Sequence, residues 1–139
     1  MFIVYVKDTG ASINFFEKAF GLKRKFFCEQ TGYAELDTGD TTLSFASHKL
    51  TKENLKFKYR AADESTEPLG MEIAFVVDSV KEAYDKAIAS GAKSLKAPTE
   101  MPWGQTIAHL VCPDGTLVEL CTRVEGWFRY IIKLLASPT

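Results

Sequence analysis

The most constraining feature of this sequence is an internal repeat of one strand, one helix and three strands. In the first half, the pattern predicts strands over 2–6, 25–29, 33–37 and 41–46, with a helix over 11–20. In the second half, it predicts strands over 71–77, 94–96, 106–112 and 116–122, with a helix that begins after Ser79. A repeat of this kind predicts two similar units that pack together, because neither unit alone can bury its apolar face.

The turns and helix ends support this division. Ile13, Phe16 and Phe20 recur at helical spacing, and we assign the rings of Phe15, Phe16, Phe20 and Phe75 to the core. Gly21 and Gly91 stand where C-cap glycines are expected to end the two helices. The last two strands flank a strong turn sequence, Pro113-Asp114-Gly115.

We divide the chain into module one (1–47), a linker (48–69), module two (70–124) and a C-terminal tail (125–139). The linker is polar and has no clear periodicity, and a short irregular strand at 57–59 is the only element predicted in it.

The tail is apolar on more than one side from 125 to 135, which predicts an extra C-terminal helix. We expect it to pack on its own domain or on a second subunit. Attachment to a membrane surface through Arg129 and Lys133 is the alternative, although two charges give it little electrostatic support.

Composition excludes several classes of protein. The 139 residues are 46% hydrophobic and 25% charged, and the formal net charge is -1. A nucleic-acid-binding protein needs a basic face, and the only basic cluster, at 23–25, reads as the start of a strand. No apolar run reaches the roughly 18–20 residues that span a bilayer. The three cysteines form no CxxC spacing, so we expect a cytoplasmic protein that binds neither nucleic acid nor membrane.

Four segments resemble, in order, motifs of the glyoxalase/bleomycin-resistance/dioxygenase (vicinal oxygen chelate) superfamily. They lie at 3–22, at 72–78, at 102–105 (Pro-Trp-Gly-Gln) and at 113–120 (Pro-Asp-Gly-Thr-Leu-Val-Glu-Leu). The last two are especially similar to bleomycin-resistance proteins. The resemblance implies an α+β fold in which two paired βαβββ modules form a half-open cup, usually completed in a homodimer, that binds a small molecule.

The same resemblance implies where metal ligands would stand in the members that use metals. The four positions fall on Met1, Ser44, Glu72 and Glu119. A thioether and a neutral hydroxyl are poor ligands for a divalent ion such as Zn²⁺, Ni²⁺ or Fe²⁺. We therefore expect neither a metal nor another cofactor, which argues against metal-dependent lyase, isomerase or dioxygenase activity.

His109 complicates this expectation. If 113–115 makes the turn, His109 pairs opposite Glu119 on the same face of the hairpin, and Glu72 could converge on both. Two carboxylates and an imidazole allow an atypical metal site, a general acid–base set with a raised carboxylate pKa, or an electrostatic pocket wall. The sequence leaves these three alternatives open, and it identifies no catalytic residue.

Trp103 lies in a Gly- and Pro-flanked loop, where its ring could stack on a planar or cationic ligand. The alternative is that Trp103 anchors the loop at a dimer interface. We predict a ligand-binding set composed of Tyr5, Ser44, Glu72, Trp103, His109 and Glu119.

The expected function is sequestration of a cationic or aromatic small molecule, as in antibiotic resistance of the bleomycin type. A glyoxalase-like lyase or isomerase, or a dioxygenase, with an atypical metal site is the alternative. A third interpretation is that the domain only mediates protein contacts through its aromatic tail.

Overall fold

The computed structural model describes residues 1–123, 135 and 136. The division at residue 124 and the predicted tail helix therefore stay predictions, since nearly all of the tail lies outside the described residues. Within the described part, the elements in chain order are β1 (Phe2–Val6), α1 (Thr9–Phe20), β2 (Lys23–Cys28), β3 (Tyr33–Asp37), β4 (Leu43–Ser47), α2 (His48–Leu55), a 3-10 helix (Ala62–Glu64), β5 (Ile73–Val76), α3 (Val80–Ala89), β6 (Lys93–Glu100), β7 (Thr106–Val111) and β8 (Leu117–Cys121).

The strands form two sheets with the same topology. Their strand orders are β1-β4-β3-β2 and β5-β8-β7-β6, and in each sheet the first strand runs parallel to its neighbour while the other pairs are antiparallel. Neither sheet closes into a barrel. The α+β fold of two paired βαβββ modules is thereby confirmed.

Both modules share one hydrophobic core. Helices α1 and α3 contact each other, and each packs on the sheet of its own module. The ring of Phe16 lies 5.0 Å from that of Phe45 and 6.4 Å from that of Phe75, between centroids, so the core crosses from one module to the other. The predicted core role of Phe15, Phe16, Phe20 and Phe75 agrees with this packing.

Alternation along each strand leaves a second face opposite the helices, which we call the site face. In module one, Ser44 pairs with Ile3 and with Glu35. In module two, Glu119 pairs with Ala74 and with His109. Counting along equivalent strands, Ser44 matches Glu119 and Glu35 matches His109.

Met1 corresponds to Glu72 by the same counting. Met1 lies two residues before Ile3, the partner of Ser44, and Glu72 lies two residues before Ala74, the partner of Glu119. The repeat therefore provides an internal comparison, in which each side chain of the site face has a counterpart at an equivalent backbone position.

The linker is more ordered than the sequence predicted. It contains α2 and the 3-10 helix, and residues 57–59 form no strand. Helix α2 begins at a Ser47 cap, whose Oγ accepts a hydrogen bond from Leu50 N at 3.1 Å, and it packs on β1 and β4. Its residues are mostly polar, so it has no amphipathic pattern strong enough to be recognised.

Strand β6 (Lys93–Glu100) is also longer than the predicted strand over 94–96, and it includes Pro98. β6 is an edge strand, where a proline costs no ladder hydrogen bond if its nitrogen faces solvent. No helix among the described residues is both long and apolar enough to cross a lipid bilayer.

Candidate functional site

The site face of module two brings together Glu72, His109 and Glu119, which we call the acidic trio. One ligand atom from each residue lies within 4.8 Å of those of the other two. His109 Nε2 is 3.0 Å from Glu72 Oε2, and β7 and β8 hold His109 directly opposite Glu119. The pairing of His109 with Glu119, which the sequence predicted from the hairpin turn, is confirmed, and the approach of Glu72, which the sequence left as a possibility, is observed.

The electrostatics of the acidic trio centre on Glu119. Partial burial and the neighbouring Glu72 carboxyl raise the pKa of Glu119 to about 7. Burial disfavours a charged carboxylate, and a second carboxylate within hydrogen-bonding reach disfavours it further. Near neutral pH Glu119 is therefore only partly ionised, and a positive charge placed beside it would favour its ionised form.

Nearby groups show the same negative potential. Burial, followed by the charges of Glu119 and Glu72, raises the pKa of the Cys121 thiol. Lys96 pairs with His109 across β6 and β7, yet it joins no ion pair among the described residues. Among the described residues, His109 is the group shown in direct contact with the Glu72 carboxyl, and it lies opposite Glu119 on the hairpin.

The equivalent positions of module one carry different chemistry. Tyr33 OH lies 2.8 Å from Glu35 Oε1 and 3.2 Å from Ser44 Oγ, and Ser44 is fully buried beneath it. Lys25 Nζ approaches the other Glu35 oxygen at 4.0 Å. Burial raises the pKa of Tyr33, so its hydroxyl stays a donor. We did not anticipate this network, although Tyr33 and Glu35 are two residues apart on a predicted strand and must share a face.

Two other predicted site residues, Tyr5 and Trp103, have contacts with residues outside the acidic trio. The half-buried ring of Tyr5 packs on Tyr59 of the linker, with centroids 4.9 Å apart. Trp103 lies half-buried in the turn between β6 and β7, and its Nε1 donates to Gln105 Oε1 at 2.8 Å. Gln105 Nε2 in turn donates to Thr122 O at 3.0 Å, which ties this turn to the end of β8.

A cleft adjoins the acidic trio. Its volume is 450 Å³, Glu72 lies on its wall, and both modules line it through side chains that include Phe2, Leu22 and Phe75. Its lining is mostly apolar, as expected of a small-molecule site.

A larger cleft of 610 Å³ lies elsewhere, between α1, the linker and the β7–β8 turn. Its aspartates are already engaged: Asp8 caps α1, Asp114 accepts from Ser12 Oγ, and Asp63 pairs with His48. The carboxylates of this cleft therefore already have partners within the protein.

Known structures share this fold. A glyoxalase-related enzyme from Fulvimarina pelagi matches with a TM-score of 0.73 at 18% identity, over 88% of this chain and 87% of its own. A glyoxalase/bleomycin resistance protein/dioxygenase family enzyme from Burkholderia phytofirmans PsJN gives 0.70 at 24% identity, over 88% and 95%. The bleomycin resistance determinant encoded on transposon Tn5 gives 0.59 at 24% identity, over 87% and 93%. At these identities the likeness concerns the fold alone.

Sequence comparison identifies the family. No curated protein matches the sequence. The family model of the Glyoxalase/Bleomycin resistance protein/Dioxygenase superfamily matches residues 1–120, which include both modules and the acidic trio. The chain therefore belongs to the glyoxalase/bleomycin resistance protein/dioxygenase superfamily.

Proposed function

We propose that this protein binds a small cationic ligand non-covalently on the site face of module two and sequesters it. The observation that carries the proposal is the close approach of Glu72 and Glu119, with the pKa of Glu119 raised to about 7. A cation placed between the two side chains would displace the proton of Glu119 and stabilise its ionised form. The structural likeness to a bleomycin resistance determinant is consistent with sequestration.

The proposal includes a homodimer that completes the cup. Large apolar side chains of the site face are exposed in the single chain: Met1 by 72%, Ile3 by 46% and Val76 by 60%. Surfaces of this kind favour burial against a partner. Tyr5, Ser44 and Trp103 are proposed as parts of the surrounding wall. The three cysteines are all free, which favours the cytoplasm as the location.

Calorimetric titration with benzyltrimethylammonium, an aromatic cation, tests the proposal. Because binding requires an ionised Glu119, its affinity should rise with pH through about 7 and level off above, with up to one proton released per cation. Titrations in two buffers of different ionisation enthalpy count that proton. Binding that is independent of pH between 6 and 8, or the absence of binding, would overturn the proposal.

Sedimentation velocity tests the dimer. The wild-type chain should sediment with twice the chain mass, and the double variant Ile3→Glu with Val76→Glu should sediment as a monomer. A monomeric wild type would remove the shared cup from the proposal.

A metal-dependent lyase, isomerase or dioxygenase is the second candidate, because the nitrogen and two oxygens of the acidic trio suit a divalent ion. Glu72, His109 and Glu119 would hold the ion, which would supply Lewis acidity when bound. The module-one positions would add only the Met1 thioether and the buried Ser44 hydroxyl. The side chains of module two therefore suit a divalent ion, whereas the equivalent side chains of module one do not.

Titration with Zn²⁺, Ni²⁺ and Mn²⁺, combined with assays on thiol adducts of 2-oxo aldehydes, separates the two candidates. Turnover that appears with a metal and disappears on chelation supports the enzyme. Turnover that survives exhaustive chelation would exclude its metal-dependent form.

A further inference from the structure

Two aromatic side chains of the linker pack at the edge of module one. Tyr59 packs against Tyr5, which lies on the site face of edge strand β1, with centroids 4.9 Å apart and ring planes inclined at 58°. Phe57 packs edge-on against Tyr59, with centroids 6.3 Å apart and ring planes inclined at 69°. We call these three neighbouring rings the linker shelf (Tyr5, Phe57 and Tyr59), and Phe57 is the exposed one.

Hydrogen bonds hold Tyr59, the central ring of the linker shelf, in place. Tyr59 OH lies 2.7 Å from His48 Nδ1 and 2.8 Å from Thr51 Oγ1 of α2. His48 Nε2 lies 2.8 Å from Asp63 Oδ1 of the 3-10 helix. Tyr59 is therefore a preorganised support for the Phe57 ring that packs against it, which lowers the entropy cost of binding a ligand there.

Phe57 is an exposed aromatic side chain next to a firmly held neighbour. Its side chain is 54% exposed, although the neighbouring Tyr59 is firmly held. An apolar ring on a fixed surface loses little conformational freedom when a ligand ring stacks on it. This combination of a rigid support and an exposed ring indicates a binding surface.

The charge of the segment selects the ligand. Residues 49–60 contain one carboxylate, Glu53, and five cationic side chains: Lys49, Lys52, Lys56, Lys58 and Arg60. None of these five forms an ion pair within the described part of the chain. The local potential is therefore positive and attracts anions. It is opposite in sign to the potential at the acidic trio.

We propose that the linker shelf binds the planar ring of an aromatic anion, such as an aromatic carboxylate or sulfonate. The shelf is a subsite separate from the acidic trio: the exposed ring of Phe57 stacks on the ligand, and the basic linker attracts the ligand's charge. The shelf shares Tyr5 with the wall of the proposed cation site but contains no residue of the acidic trio.

Backbone amide shifts measured by NMR test the linker shelf with 2-naphthalenesulfonate as the probe. The sulfonate should shift the amides of 56–60, whereas 2-naphthylmethylammonium, a cation of similar size, should not. Phe57→Leu keeps an apolar side chain but removes the ring, so the Kd for the sulfonate should rise about tenfold. Phe26→Leu, which removes a ring that is also 49% exposed, is the matched control and should leave the Kd unchanged.

A second variant tests the electrostatic part. The double variant Lys56→Gln with Lys58→Gln should weaken sulfonate binding about threefold to tenfold, while binding of uncharged 2-naphthol stays the same. Both positions are exposed, so the fold should tolerate the change, and an unaltered Tm checks this.

Three results would overturn the proposal: absence of sulfonate binding, a Kd that Phe57→Leu does not change, or equal affinity for the cationic probe. The double variant Glu72→Gln with Glu119→Gln should retain sulfonate binding. Whether this variant loses cation binding tests the proposed function and not the linker shelf. Whether the linker variants alone lose sulfonate binding tests the linker shelf and not the proposed function.

Discussion

The two modules share strand order and register but differ in what their site faces do. In module one, the Glu35 carboxylate is satisfied by Tyr33 OH at 2.8 Å and approached by Lys25 at 4.0 Å. In module two, the equivalent position holds His109, which lies 3.0 Å from Glu72 and directly opposite Glu119 on the hairpin. The comparison teaches that the helix-covered face is alike in the two modules, whereas the site face is closed by Tyr33 in one and carries the acidic trio in the other.

The largest expected effect tests whether the modules form one cooperative unit. Phe16→Ala removes a fully buried ring that contacts Phe45 and Phe75, so we expect a loss of about 4 kcal/mol in the free energy of unfolding. Urea unfolding followed by circular dichroism should give a single transition, and Phe26→Ala at an exposed position should cost less than about 1 kcal/mol. Two separate transitions would show that the modules fold independently.

The turns before β4 and before β8 should respond very differently to the same change. Gly39 and Gly115 have φ values of +87° and +86°, so alanine is strained at both. A Cβ at Gly115 would also lie 2.4 Å from the backbone of Ala62, whereas a Cβ at Gly39 meets nothing within 4 Å. We expect Gly115→Ala to cost about 3 kcal/mol and Gly39→Ala about 1 kcal/mol in urea unfolding. Equal costs would contradict the tight contact between linker and hairpin.

Removing charge should affect cation binding in one module only. The double variant Glu72→Gln with Glu119→Gln should weaken binding of benzyltrimethylammonium at least about thirtyfold, because no carboxylate remains to neutralise it. Glu35→Gln, at the position that matches His109, should change the affinity less than about threefold. Calorimetry at pH 8 measures both, and a similar loss from Glu35→Gln would place the cation on both modules.

The smallest effect concerns the pH dependence of stability. The pKa of Glu119 is about 7 in the fold and 4.5 without it, so its contribution to stability is greatest below pH 4.5 and is lost as pH rises towards 7. Glu119→Gln should therefore raise the Tm by about 3 °C at pH 8, after allowance for solvent screening, and leave it unchanged at pH 4. Glu35→Gln should give no such gain, because its carboxylate already has a donor. Thermal scans at both pH values decide this.

Much of the fold could be predicted because the local signals agree with one another. The Pro113-Asp114-Gly115 turn fixed the register of β7 and β8, and with it the pairing of His109 with Glu119. Cys112 and Cys121 lie in apolar stretches of the two predicted hairpin strands, and both are buried. These features depend on alternation and turn chemistry, which are local in sequence.

The missed features depend on contacts between distant residues. Helix α2 is mostly polar and is held by a Ser47 cap and by packing on module one, so periodicity alone could not reveal it. The relay from Tyr59 through His48 to Asp63 joins three parts of the linker, and the sequence does not say that they meet. Convergence of Glu72 on the hairpin was foreseen only as one possibility, because parallel pairing of β5 with β8 is a long-range contact.

Strict alternation on the strands also makes the acidic trio transplantable. Tyr33 occupies in module one the position of Ile107, and its ring covers Ser44. Tyr33→Ile would uncover that position, and Met1→Glu, Glu35→His and Ser44→Glu would then give module one the side chains of the acidic trio. None of these four residues belongs to the hydrophobic cluster under the helices, so the site face of one module can be redesigned on the pattern of the other while that cluster stays the same.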